Sequence, residues 1–197
     1  RLVKALEELG PTFIKLGQFL GTRPDIVGKD LAIELQSLQD DLPPFAMSIA
    51  KQSIIDEIGQ EKFNEIKNLS EPIAAASIAQ VHFADIDEKQ FAIKILRPDI
   101  EKRFNDELEA LMLFASIVES LLPKARRLKL IEVVHLLKEI KTIEMDLRFE
   151  GSAASELKKN TDQDPKFKVP NINWDFTSKR ILTSEKVDGI KIKDLNR

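Results

Sequence analysis

Residues 71–96 read EPIAAASIAQVHFADIDEKQFAIKIL, and this stretch decides the fold. Its first part is poor in charge and rich in small and β-branched residues. In QFAIKIL, Phe91, Ile93 and Ile95 fall on one face of a strand and Ala92, Lys94 and Leu96 on the other. The polar stretch Asp85–Lys89 reads as the hairpin turn that joins the two strands. Lys94 thus sits mid-strand among apolar neighbours. A lysine in a half-buried strand requires a carboxylate or phosphate partner, because an unpaired buried charge is costly. The plain alternative is an edge-strand lysine directed at water.

Upstream, apolar positions at helical spacing predict a helix over 2–9, ended by Gly10-Pro11. Pro11 opens a second helix through FIKLGQFLG, which Arg23-Pro24-Asp25 breaks. A third fits DLAIELQSL, QDDLPPF reads as a loop, and a fourth fits AMSIAKQSIIDEIG with Gly59 as its C-cap. EKFNEI adds one short turn. Downstream, Arg97-Pro98-Asp99 stops the strand and starts a helix from Ile100 to about Leu122, which Pro123 breaks. One long periodic segment is expected from Leu130 to about Lys159, then a loop TDQDPKFKVP, then strands in VPNINWDF and RILTSEKVDG. The order is four helices, three strands, two helices, two strands. Helices and strands in runs, without regular alternation, predict an α+β fold.

Composition narrows the function classes. The 197 residues are 43% hydrophobic and 32% charged, with a net charge of −3, the profile of a soluble globular chain. There is no cysteine, which removes disulfide frameworks, thiolate metal sites and cysteine nucleophiles. Two histidines, His82 and His135, argue against a histidine-rich metal site. The near-neutral charge argues against a nucleic-acid binder. No uncharged run approaches the ~18 residues of a membrane span, and RLVKALEELG is not a secretory signal. The first residue is Arg1 and both ends look cut, so a piece of a longer protein is expected.

Two further constellations can carry chemistry. In EMDLRFEGSAASEL, a regular helix would put Asp146 and Glu150 on one face and Glu144 on nearly the opposite one. The three carboxylates then serve two jobs rather than one; the plain alternative is a solvated acidic face with Arg148 paired to Glu144. In PTFIKLGQFLGTRPDIV, Lys15 and Gln18 share a helical face. Gly17 costs that helix about 1 kcal/mol relative to alanine. A glycine retained there points to something packed very close; the plain alternative is a kink or a helix end at Gly17.

These residues together resemble the UbiB family of atypical, protein-kinase-like kinases tied to ubiquinone biosynthesis. KLGQ at 15–18 looks like the family's KxGQ motif, AAASIAQVH at 74–82 like its alanine-rich loop, FAIKILRP at 91–98 like its VAIK strand, and EMDLRFEGSAASEL at 144–157 like its ExD motif and following helix. VPNINWDFTSKRILTSEKVDGI resembles the fourth and fifth strands and the hinge. The motifs stand in the family order across nearly the whole chain.

The resemblance implies an α+β, protein-kinase-like N-lobe, with an antiparallel sheet of about five strands at residues 69–197 and an all-helical KxGQ extension at 1–68. It implies ATP binding. Lys94 would contact the α/β-phosphates, Glu150 would pair with Lys94, and Ala74, Ala75, Ala76 and Ser77 would form the nucleotide-covering turn. Residues near Glu185 to Val187 would hold the adenine. Lys15 and Gln18 would fold over the active site, where Glu144 and Asp146 meet them, with Lys15 the partner of Glu144. The extension would block a protein-substrate cleft, favouring ATPase or small-molecule-directed activity over protein phosphorylation.

Alanines stand where a protein kinase has glycines, which forbids positive-φ turn geometry. The chain also departs from the family. Gly151 stands where alanine is commoner, predicting a weaker helix after Glu150. The catalytic-loop Asp and Asn and the metal-binding Asp of the C-lobe are not in this sequence, so the Mg²⁺ ligands are expected elsewhere and the chain is not expected to be competent alone. Quinone-biosynthesis proteins and lipid-like quinone precursors are the implied partners, in the cytoplasm or at the cytoplasmic face of the inner membrane. The reading from another class is a truncated, non-catalytic module docking a partner protein or, through the basic KARRLK at 124–129, an anionic membrane surface.

Overall fold

The computed structural model of the chain describes residues 2–38 and 43–189. In chain order its elements are α1 (Leu2–Leu9), α2 (Pro11–Gly21), α3 (Pro24–Val27), α4 (Lys29–Gln36), α5 (Met47–Ile58), α6 (Gln60–Glu65), β1 (Ala74–Ala75), β2 (Ala79–Ile86), β3 (Lys89–Leu96), α7 (Ile100–Leu121), α8 (Leu130–Glu144), α9 (Leu147–Thr161) and β4 (Ile181–Glu185). Short 3-10 segments occupy Pro123–Leu128 and Trp174–Phe176. The strands form one antiparallel sheet in the order β1-β2-β3-β4. The architecture is mixed α+β, consistent with the kinase-like N-lobe that the resemblance implies.

The local sequence explains most boundaries. Pro11 and Pro24 stand first in their helices, where a missing N–H costs nothing. Gly59 ends α5 at φ 86°, a conformation side chains resist, and its N–H donates to Ile55 O at 2.8 Å. Asp87 and Glu88 turn the β2–β3 hairpin with φ of 49° and 62°, as a two-residue turn with both central residues left-handed requires.

The sheet has four strands among the described residues, against an expectation of about five for the whole lobe. Two expectations need correction. VPNINWDF does not form a strand: Pro170 lacks an N–H, Ile172 makes only an isolated bridge to Ser184, and the chain then tightens into the turn at Trp174. The segment from Leu130 is two helices, not one. Met145 and Asp146 leave helical geometry, and Asp146 caps α9 by accepting the Arg148 N–H at 3.1 Å. Arg23-Pro24-Asp25 ends α2 as expected, but Pro24 immediately opens the short α3. Residues 39–42 of the QDDLPPF loop and the end of the strand-like KVDGIKI lie outside the described residues.

Two compact units divide the chain: residues 1–45, 74–80 and 96–145, and residues 46–73, 81–95 and 146–197. In the first, α2 lies so close to α4 that a Cβ on Gly21 would meet the backbone nitrogen of Gln36 at 3.2 Å. One turn earlier, Leu38 and Leu6 fill the space where a Gly17 side chain would go. The close-packing reading of Gly17 holds, and α2 continues through it to Gly21. The helices α7 and α8 form an antiparallel hairpin over Phe104, Leu108, Ala115, Val134 and Leu137, all buried. Lys141 Nζ ties its one end to Asn105 Oδ1 (3.0 Å) and Glu101 (3.7 Å).

In the second unit, β3 and β4 pair antiparallel, with Lys94 opposite Leu182 and Ile93 opposite Thr183. Phe91, Ile93 and Ile95 are buried, as the alternation predicts. Ile181, Leu147 of α9 and Ile54 of α5 complete its core.

Candidate functional site

Lys94 and Glu150 form an ion pair between strand β3 and helix α9 in the second unit. Lys94 Nζ lies 2.7 Å from Glu150 Oε2, with the side chains 27% and 52% exposed. The alternation of β3 sends Lys94 to the face opposite Ile93 and Ile95. Glu150 sits in the first turn of α9, where a carboxylate complements the helix dipole. The helix start is fixed twice: by the Asp146 cap and by Leu147 N–H donating to Lys179 O at 2.9 Å.

Gly151 sets the distance between helix and strand. A Cβ there would stand 3.1 Å from Leu182 Cδ1 and from Trp174 Cη2. Leu182 is the β4 residue paired with Lys94. The glycine that weakens the helix by propensity therefore permits the approach that puts Glu150 on Lys94. The sequence alone shows only its cost.

Asp146 does not share a helical face with Glu150, because it precedes the first turn of α9. Arg148 grips its carboxylate from the same helix, at 2.9 and 2.6 Å. That guanidinium contact holds the Asp146 carboxyl below the usual carboxylate range.

Glu185 ends β4. Its carboxylate accepts from the Asn171 side chain at 2.8 Å and the Asn171 N–H at 3.2 Å. These bonds, helped by Lys158 and Lys168, keep its pKa low. Val187 follows as exposed, irregular chain.

In the first unit, Lys15 Nζ of α2 lies 3.6 Å from Glu144 Oε1 at the end of α8. Gln18 is half-buried on α2. The alanine-rich segment gives Ala74 and Ala75 to β1 and turns at Ala76–Ile78, closed by Ala76 N–H to Ala79 O at 2.7 Å. Ser77 is buried within that turn.

Two residues that the motif reading passed over hold this turn in shape. Arg97 Nε donates to Ala76 O and its Nη2 to Pro43 O, both at 2.9 Å, while its backbone N–H donates to Ile78 O at 2.8 Å. Its guanidinium also lies over the Phe45 ring, 5.8 Å from the centroid. Gln80, fully buried, pairs its side-chain amide with the Phe45 backbone: Phe45 N–H donates to Oε1 at 2.9 Å and Nε2 donates to Phe45 O at 3.3 Å. A glutamine inside a strand of mostly apolar residues was the available signal, since a buried amide must find partners.

Residues 37–197 match the sequence profile described as the ABC1 atypical kinase-like domain. The chain belongs to that family. It is 40% identical to a "Probable protein kinase UbiB" of Marinobacter nauticus over 99% of its own length and 36% of that protein's. Similar relatives of the same printed name come from Vibrio atlanticus, at 38% identity over 99% of the chain and 36% of the relative, and from Azotobacter vinelandii, at 39% over 99% and 37%. The chain thus spans a little over a third of the length of the relatives it matches. No described helix is long and apolar enough to cross a membrane.

Proposed function

We propose that this chain is the ATP-binding N-lobe, with its KxGQ extension, of a UbiB-type atypical kinase or ATPase that supports ubiquinone biosynthesis. Residues 69–197 are the lobe and residues 1–68 the extension. The Lys94–Glu150 ion pair carries the reading. A carboxylate on a helix fixes an ammonium on a strand, and the pair stays open to solvent. That is the charge a nucleotide's α/β-phosphates need, held without reorganisation.

The other roles follow the family motifs. The turn at Ala74–Ser77, braced by Arg97, would cover the nucleotide with backbone N–H groups, in a shape stiffer than a glycine loop allows. The hinge from Glu185 to Val187 would hold the adenine. Mg²⁺ would neutralise phosphate charge, on ligands supplied by the remaining two thirds of a full-length relative.

Lys15 and Gln18, with Glu144 and Asp146, would seal the cleft a protein substrate uses. The Lys15–Glu144 contact supports a tethered extension. The activity is then ATP hydrolysis or transfer directed at lipid-like quinone precursors, in company with quinone-biosynthesis proteins at the cytoplasmic membrane face.

The test is a titration of the full-length protein with a fluorescent ATP analogue and Mg²⁺. Wild type binds, and Lys94→Met binds at least about tenfold more weakly, the loss of one charge-assisted contact. Equal affinities would remove Lys94 from the phosphate site and leave a non-catalytic docking module as the reading.

A further inference from the structure

The helical first unit carries a cavity that no nucleotide role uses. An apolar pit of about 240 Å³ opens between α2, α7 and α8. Leu16 and Leu20 wall it from α2, Phe114 and Ala115 from α7, and Leu137 from α8. Its mouth reaches the surface, since Phe114 is 60% exposed although it lines the pit. Apolar cavities of even ~150 Å³ stay dry and take up hydrocarbon.

The pit does not end in a polar wall. Leu128 and Val133 line it and also line a second, wider depression of about 650 Å³. That depression adds five charged residues: Arg23, Asp25, Arg127, Lys129 and Glu132. Four of them neutralise one another in pairs. Arg23 binds Asp25 at 2.7 Å, and Lys129 binds Glu132 at 3.0 Å. Arg127 has no hydrogen-bond or ion-pair partner among the described residues. The depression therefore holds one uncompensated positive charge beside an apolar pit.

We propose that this composite cavity binds one molecule of an anionic amphiphile, its chain in the pit and its head group on Arg127. The shape selects against the other apolar occupants. A partner helix of ~10–12 Å diameter does not enter a pit of about 240 Å³. A purely apolar ligand leaves Arg127 unused. A soluble anion leaves the pit unused. Charge complementarity and the shared wall at Leu128 and Val133 join the two requirements in one ligand.

Isothermal titration of the full-length protein, without nucleotide, tests this. The probes are octyl phosphate, octanol and inorganic phosphate, all below micelle-forming concentrations. Two variants change exposed positions and so leave the core intact: Arg127→Glu reverses the head-group charge, and Leu128→Glu, at a residue 40% exposed, places a carboxylate on the shared wall. Circular dichroism melting checks that both fold. Octyl phosphate should bind wild type more tightly than octanol does, lose about tenfold or more in Arg127→Glu, and lose all measurable binding in Leu128→Glu. Octanol affinity should not change in Arg127→Glu. The proposal is overturned if octyl phosphate binds all three proteins alike or none of them, if inorganic phosphate matches it, or if only vesicles of anionic lipid bind.

Discussion

Gly151 stands against Leu182, its Cβ position 3.1 Å from Leu182 Cδ1, and Leu182 is the strand partner of Lys94. Strand register and helix approach are thereby coupled to the ion pair. A residue much larger than alanine at 151 must push α9 away from β4, and Glu150 moves with α9. Glycine costs a helix about 1 kcal/mol relative to alanine. The atoms an added methyl would meet are the tips of Leu182 and of Trp174, and Trp174 is 46% exposed and can yield. Gly151→Ala should therefore raise stability by about 0.5–1 kcal/mol, read by chemical denaturation. Gly151→Leu should lower it by about 1–3 kcal/mol through overpacking and weaken nucleotide binding as well. A destabilised alanine variant would show that the contact has no slack.

The Lys94–Glu150 pair should matter more to a ligand than to the fold. Both side chains are partly exposed, and such pairs contribute about 0–1 kcal/mol. Glu150→Gln keeps the shape of the side chain and removes its charge. Its thermal midpoint should stay close to wild type, while the ATP affinity of the full-length protein falls on the order of tenfold, because Lys94 loses the group that orients it. A large loss of stability with unchanged affinity would make the pair structural.

Gly17 and Gly21 test the packing of α2 in a different way. At Gly17 the obstacle is the buried Leu38 side chain, and at Gly21 it is the backbone of α4 itself. Backbone cannot rotate aside. Gly21→Ala should therefore cost at least as much as Gly17→Ala, each about 1–3 kcal/mol net, despite the gain in helix propensity. Denaturant midpoints of the two variants check the order, and a stabilised Gly21→Ala would contradict the close helix contact.

Acid should act on the α9 cap. The Arg148 contact holds the Asp146 pKa below its unfolded value, near 3.9. The folded state then binds fewer protons than the unfolded one in that range. The stabilisation is full above the unfolded pKa and is lost as pH falls through the folded pKa. Asp146→Asn retains a good N-cap and removes the charge. It should melt below wild type at neutral pH, and the two curves should converge at the acid end. Parallel curves at all pH values would mean that the charge contributes nothing.

How much of this was legible in the sequence depended on the range of the interaction. The hairpin, Lys94 mid-strand, the Gly59 cap and the proline boundaries are local, and each was read from neighbours a few residues apart. The family itself was legible from four motifs in order. The break at Met145–Asp146 was missed because apolar periodicity runs on through it, and only the capping aspartate marks it. The strand expected in VPNINWDF was lost to Pro170 and to the turn at Trp174, which outweigh a β-rich composition. The role of Gly151 needed Leu182 and Trp174, more than twenty residues away, and no periodicity reports that contact.

Arg97 is the residue whose function depends most on such distant partners. It follows β3 directly, yet its side chain reaches Ala76 and Pro43. Two parallel donors fixed in a plane reach two carbonyl oxygens at once, which a lysine ammonium on a flexible stem does not reproduce. Arg97→Lys should keep the charge and loosen the alanine-rich turn. Arg97 is then a positioning residue, and its signature is a faster backbone hydrogen exchange at Ala76–Ala79 with little change in the exchange of α7. If the turn lies over the nucleotide, ATP affinity falls in the same variant, and adding nucleotide restores the protection of Ala76–Ala79. Faster exchange without any response to nucleotide would keep Arg97 as a brace of the turn and remove the turn from the binding site.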